Sequence, residues 1–302
     1  IRRASRCSTA KAFLRPIRLR ENLHIALNAH VTRVLINPFN METYGVEFYR
    51  NGRKYSIKAR KEVVMSAGSI NSPQILMLSG IGPKEELQKH RITLLKDLQV
   101  GENLQDHVGM GGLTFLVDKP VAIIQNRLQA FRITMDYLLR NKGPMSVLGG
   151  LEGVAFVNTP FANKSGSWPD IQFHMAPASI NSDQGARVKK VLGITEHLYR
   201  TVYHPIRQKD AWSIIPLLLR PRSRGWVRLK SSNPFHYPRI NPNYFSDPFD
   251  IATLVEGAKI AIKVSNAKAF KQFNSRLHTI PFPNCKMHPF GSDAYWECHI
   301  RT

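Results

Sequence analysis

The chain has 302 residues, 43% of them hydrophobic, enough for a packed core in one large or two ordinary domains, which excludes a disordered protein. Its longest apolar run, the six residues Ile214–Leu219 with Pro216 inside, falls far short of the ~20 that a membrane-spanning helix needs. The formal charge of +22 sits at the two ends, +10 over residues 1–60 and +9 over 201–302, against −1 over 61–120 and +4 over 121–200. With no helix-turn-helix, zinc-finger or aromatic RNA-binding pattern beside it, the excess reads as solvated basic surface, or a face that meets an acidic segment, rather than a nucleic-acid site.

The first residue is Ile1, and "IRRASRCSTAKAFL" lacks the apolar core and cleavage pattern of a signal peptide, so the natural N-terminus is expected to lie further upstream. Leu23 to Met65 reads as successive strands: "LHIAL", "HVTRVLI", "YGVEFYR", then "KYSIKA" after an Asn51-Gly52 hairpin turn, and "EVVMS". After Ala67-Gly68, Asn71 or Ser72 is expected to cap a helix with Pro73 in its first turn, Gln74 to Leu78, ending at Ser79-Gly80. Gly82-Pro83 opens another helix, with Glu85 and Glu86 early and Lys89, His90 and Arg91 late, charges that complement the helix dipole. A short strand "ITLLKDL" leads to "VGENLQDH", Val100 to His107.

From about Gly109 the pattern changes. "GMGGLTFLV" opens a strand, an amphipathic helix is expected near Arg127 to Arg140, and "EGVAFV", "DIQFHMAP", "AWSIIPLLLR" and "GWVRLKSS" read as strands of an antiparallel sheet. Asp247 or Asp250 caps a long helix with Ile251, Leu254, Val255, Ala258 and Ile262 on one face. Asp210-Ala211-Trp212 and Trp226 read as sheet packing, and Tyr203-His204 as a surface pair. Asn163-Lys164-Ser165 is a chance-level glycosylation triplet.

The chain contains no G-x-G-x-x-G and no phosphate-binding G-x-x-x-x-G-K-[ST]. Nor does it contain a Gly-x-Ser-x-Gly elbow or a His-Glu-x-x-His helix. Cys285 and Cys298, with His288 and His299, match no standard zinc spacing. A disulfide is expected instead, or pairing of each cysteine outside the chain, and Cys7 remains over.

The informative stretch is "SAGSINSPQILMLSGIGP", Ser66 to Pro83. In Gly68, Ser69, Ser72, Pro73, Ile75, Leu76, Ser79, Gly80, Ile81 and Gly82 it resembles the second signature of the glucose-methanol-choline (GMC) oxidoreductases, flavoenzymes that oxidise alcohols. "RENLHIALNAHVTRVLI", "VGENLQDH" and "RPRSRGWVRLKSSNPFHYPRINPNYFSDPFD" extend the resemblance over nearly the whole chain, nearest to the insect glucose-dehydrogenase-like branch.

The resemblance implies an α+β / α/β fold in three parts. Residues 1–107 form the later part of a Rossmann-like FAD-binding region, 108–240 an antiparallel-sheet substrate-binding domain, and 241–302 a long helix and return segment. It implies FAD as cofactor, an alcohol or sugar as substrate, and a quinone or oxygen as electron acceptor. Ala67 and Gly68 would lie bare against the flavin, Val31 would hold the adenine, and Asn103, Asp106 and His107 would match a run beside the flavin. On the residues alone, Val31 is a strand valine and Asp106-His107 a structural hydrogen-bonded pair.

The family's proton-accepting histidine is expected beyond Thr302 and its dinucleotide fingerprint before Ile1, so the chain is expected to be an internal fragment, inactive alone. None of His278, His288 and His299 sits in the catalytic motif. The alternative is a non-catalytic product or a basic polyanion-binding protein. Compartment is left open, the resemblance pointing toward secretion.

Overall fold

The computed structural model describes residues 1–147, 150–163 and 165–302, so Lys164 of the glycosylation triplet lies outside the described residues. The chain forms two units, Arg18–Asp106 with Ser223–Ser246, and Ile1–Ile17 with His107–Arg222 and Asp247–Thr302. The division expected from sequence runs continuously along the chain; this one does not, because residues 223–246 return to the first unit. There Val227 N–H donates to Gly101 O at 2.7 Å, and Leu104 and Gly225 exchange hydrogen bonds.

In the first unit β1 (His30–Ile36), β2 (Thr43–Arg50) and β3 (Arg53–Lys58) form an antiparallel meander. Asn51 and Gly52 turn the second hairpin with φ of +51° and +73°, as the Asn-Gly pair predicts. "LHIAL" and "EVVMS" are not strands. A strand needs a neighbour to take its N–H and C=O groups, and Ile25, Leu27 and Val64 stay exposed without one.

α1 (Gly68–Leu78) begins four or more residues earlier than the Asn71 or Ser72 cap predicts, and Pro73 is inside it. Ser72 is not a cap; its hydroxyl accepts from the Ala67 N–H at 3.0 Å and folds the chain into the first turn. β4 (Ile81–Gly82), α2 (Lys84–Lys89) and β5 (Lys96–Asp97) follow, β4 and β5 pairing in parallel over two residues. The rest of "ITLLKDL" is no strand, because Ile92 and Leu94 pack onto the buried cluster of Met77, Leu78, Leu87 and Leu229.

The second unit is built on β6 (Thr114–Val117), α3 (Gln125–Leu128), α4 (Phe131–Arg140), β7 (Gly153–Val157), β8 (Ile171–Ala176), the short α5 (Val188–Val191) and α6 (Glu196–Leu198), and β9 (Asp210–Leu218). The single helix expected over 127–140 is two, parted at the extended Ala130, because Arg127 is drawn to Asp210 and the Ala122 carbonyl. β10 (Trp226–Arg228) pairs with β11 (Arg239–Asn241) in the first unit, so "GWVRLKSS" does not join the large sheet.

α7 (Pro248–Ser265), α8 (Lys268–Lys271), β12 (Arg276–Leu277) and α9 (Asp293–Arg301) complete the second unit. Its sheet is antiparallel throughout, in the order β12-β6-β9-β8-β7. Asp247 caps α7 by accepting from Phe249 N–H, and Ile251, Leu254, Val255 and Ala258 are buried against the sheet, as the spacing predicts. Trp212 stacks flat on Phe270 at 4.4 Å. Tyr203 is wholly buried, not a surface residue, its ring packed between those of Tyr199 and Phe282, while His204 is exposed.

Cys285 and Cys298 form a disulfide with Cα atoms 5.8 Å apart, and Cys7 is an exposed thiol. Thiol labelling of the native chain should therefore modify Cys7 alone, and Cys285 and Cys298 only after reduction. Closing a loop of this size contributes about 3 kcal/mol, so reduction should lower the unfolding midpoint of this unit. Three reactive thiols in the unreduced native protein would contradict the bridge.

Candidate functional site

In the first unit two of the sequence-marked residues, Ala67 and Gly68, stand at the start of α1. Ala67 is exposed with φ −82°, and Gly68 has φ +90°, a conformation that side chains rarely adopt. Apart from its own neighbours along the chain, no atom of the described residues lies within 4 Å of the place where a Cβ on Gly68 would stand. The missing side chain is thus explained by backbone conformation, and the space beside it is open.

Ser69 and Pro73, just beyond, line a hollow of about 290 Å³ with Gly101, Glu102, Asn103 and Gln105. Asn103 and the start of α1, 35 residues apart in sequence, therefore share one wall. Val31 does not line that hollow; it is half-buried on β1 opposite Phe48, beside a bulge. Asp106 accepts a 2.5 Å hydrogen bond from the Tyr244 hydroxyl, and this bond holds the phenol proton, raising its pKa to about 12. Asp106 ends the first unit and His107, exposed, begins a segment of the second, so the pair straddles the unit boundary.

The second unit carries a different surface. Alternation along β7, β8 and β9 sends Ile171, Phe173, Ile214, Pro216 and Leu218 toward α7. The other face holds Val154, Phe156, Gln172, His174, Ile215 and Leu217, with Val154 53% and Phe156 60% exposed. Gly109 pairs with Leu217 at its margin, where a Cβ would meet Ile215 Cγ2 and Leu217 Cγ at 3.3 Å. An open, mostly apolar face with two polar side chains has the make-up of a wall that binds a small organic molecule. The alternation in "DIQFHMAP" carried the signal for Gln172 and His174, although sequence reasoning named neither.

His299, which does not sit in the catalytic motif, lies far from solvent, 7% exposed on α9. Its Nε2 lies 2.9 Å from the Gly111 carbonyl, an acceptor, so Nε2 bears the proton. Phe282 stacks on the ring at 3.8 Å. Nδ1 is buried without a hydrogen-bond partner among the described residues. Burial pushes its pKa down to about 4, outweighing the Gly111 bond, which pulls the other way. His278, bonded to the Val202 carbonyl at 2.8 Å, is shifted down for the same reason.

Among the described residues no group of three or more His, Cys, Asp or Glu is arranged to hold a metal. No helix among them is long and apolar enough to cross a membrane.

Two models of one family match residues 1–109 and 221–302, together more than half of the chain, which belongs to the GMC oxidoreductases. The glucose dehydrogenase (FAD, quinone) of Drosophila pseudoobscura pseudoobscura is 39% identical over 302 residues, 99% of this chain and 45% of that protein. The alcohol dehydrogenase (acceptor) of Pseudomonas putida is 33% identical over 88% of this chain and 46% of its own length. The chain thus spans about half the length of the curated relatives it matches. A solved structure of Aspergillus oryzae RIB40 formate oxidase matches with TM-score 0.76 at 23% identity, over 99% of this chain and 52% of that one, a likeness of fold.

The neutral state of His299 has a consequence for stability. The small cavity around it is lined by Tyr295, His278, Trp296 and Phe282, and among the described residues by no carboxylate. A histidine with its folded pKa below its unfolded value contributes stability above about pH 6.5 that is lost as pH falls toward 4. The native chain should lose on the order of 2–3 kcal/mol more between pH 7 and 4 than His299→Gln, a difference in which His278 cancels. Parallel pH profiles by chemical denaturation would refute a neutral buried imidazole.

Proposed function

We propose that this chain carries cofactor-facing and substrate-facing surfaces of an FAD-dependent oxidoreductase that acts on CH–OH groups of an alcohol or sugar. Electrons would pass on to a quinone or to oxygen. The observation that carries the reading is the bare ground at the start of α1, where Ala67 and Gly68 face open space beside the hollow of Ser69 and Asn103. A broad planar group needs such ground, so the residues present fit FAD.

Ala67, Gly68 and Asn103 would hold the flavin end of FAD, and Val31, with its bulged backbone on β1, the adenine end. FAD, when bound, supplies a two-electron acceptor for the hydride leaving the alcohol carbon. Asp106, tied to Tyr244, fixes the end of the segment that carries Asn103. On the open sheet face, Gln172 and His174 offer hydrogen-bonding tips among Val154, Phe156, Ile215 and Leu217. Such a face orients a hydroxylated substrate while excluding water around its carbon. The reading assigns no proton-accepting histidine within this chain. It treats the chain alone as inactive.

Expressed within its complete reading frame, the protein should bind FAD, and an alcohol or sugar should bleach the flavin absorbance under anaerobic conditions. A protein that stays colourless after incubation with FAD would overturn the reading. Ala67→Trp is the sharper variant, because φ −82° suits any residue and Ala67 is exposed beside the open space at Gly68. It should weaken FAD binding at least about tenfold, some 1.4 kcal/mol, with an unchanged circular dichroism spectrum. Unaltered FAD affinity would remove Ala67 from the cofactor surface.

A further inference from the structure

The segment Gly109-Met110-Gly111-Gly112 runs along β9 at the margin of the open sheet face. Met110 N–H donates to Pro216 O at 2.9 Å, and Leu218 N–H to Val108 O at 2.9 Å. Met110 is buried. Gly109 approaches Ile215 and Leu217, and at Gly111, its chain neighbours aside, no atom of the described residues lies within 4 Å of the Cβ position. Gly112, at φ +91°, is pressed against the imidazole of His299, where a Cβ would come within 2.8 Å of Nε2.

Such a strip has little of its own to hold it. Three glycines in four residues remove side-chain packing and raise the entropy lost on ordering. Its Gly111 carbonyl is nonetheless bonded, by an imidazole 188 residues away in sequence. That imidazole is itself held from two sides. Cys298, the preceding residue, is bridged to Cys285, and Phe282, three residues before Cys285, stacks on the ring. Trp296 and Tyr295 on the same helix are buried around it.

We propose that His299 is a positioning residue. Its Nε2–H holds the Gly111 carbonyl and so fixes the glycine-rich strip Gly109–Gly112 at the edge of the open sheet face. The Cys285–Cys298 bridge and the Phe282 ring keep the imidazole in register. The glycines leave that margin flat, and His299 supplies from the covered side the rigidity that side chains would otherwise give. Its importance for turnover rests on the substrate-face reading above; the hydrogen bond and its effect on the strip do not.

The test compares His299→Leu, which fills the space without a donor, with His299→Gln, which keeps an N–H at similar reach, both in the complete protein. Hydrogen exchange of the peptide spanning residues 108–113 should rise at least about tenfold in His299→Leu while β7 and β8 keep their protection, and His299→Gln should restore it. With an alcohol that the native enzyme turns over, His299→Leu should raise KM several-fold with kcat within about twofold, and His299→Gln should reverse this.

Unchanged exchange over 108–113 in His299→Leu, or no rescue by His299→Gln, overturns the proposal. Exchange that responds while KM does not would keep His299 in its place and remove the substrate-face reading instead. If His299→Leu does not accumulate, Cys298→Ser loosens the same imidazole from its other side. Faster exchange concentrated in 108–113 then supports the positioning role, and a uniform change or none overturns it.

Discussion

Strand β9 is the constraint on which the second unit turns. It is hydrogen-bonded on both edges, to β6 and the 108–110 segment on one side and to β8 on the other, so its register is fixed along its whole length. A strand with fixed register divides its side chains between two faces without choice. Ile214, Pro216 and Leu218 go under α7, where Gly257 lets the helix approach until Ile171 and Pro216 stand only 3.2–3.3 Å from its Cβ position. Ile215 and Leu217 are left on the other face. The open surface is therefore a consequence of how the core is built: α7 covers one side, and the same pleat exposes the next residue.

Legibility in the sequence followed the range of the interaction. Asn51-Gly52, the Asp247 cap and the apolar face of α7 are local and could be read directly. "EVVMS" and "LHIAL" have strand-like composition, but a strand is defined by its partner, and composition does not name one. The start of α1 was misplaced because Ser72, a good cap by type, turns its hydroxyl back to Ala67 N–H. At the candidate site Asn103 shares a wall with Ser69 and Pro73, which follow Gly68 on α1, whereas Val31 stands apart from that hollow. His299 was illegible because its one hydrogen bond spans the length of the second unit's sequence.

The basic excess over residues 201–302, which underlies the polyanion alternative, looks different once its arginines are placed. Arg220 lies over Trp168 at 4.5 Å, Arg222 over Phe249 at 3.5 Å, and Arg228 over Trp226 at 4.6 Å. Arg228 also meets Glu102 at 3.3 Å. Guanidinium planes stacked on rings act as packing surface as much as charge. Formal charge counts such residues as if they faced solvent, and here it overstates what the segment offers to a polyanion.

Both candidate surfaces rest on removing side chains, and removal has a thermodynamic cost. A glycine costs roughly 0.5–1 kcal/mol of conformational entropy relative to alanine, so a run such as Gly109–Gly112 tends toward mobility. Rigidity must then come from backbone groups and from the one side chain that packs, the buried Met110. Met110 N–H and the Gly111 carbonyl are the groups that find partners, one in β9 and one in His299. A lysine in place of His299 would carry a charge into a cavity with no carboxylate to meet it, and a serine would be too short to replace the ring that stacks on Phe282. A neutral imidazole satisfies both demands: one donor for the carbonyl and a flat apolar ring for the stack. Its buried, unpartnered Nδ1 is the cost of that arrangement, and a bare lone pair is cheaper to bury than an unmet N–H or a charge.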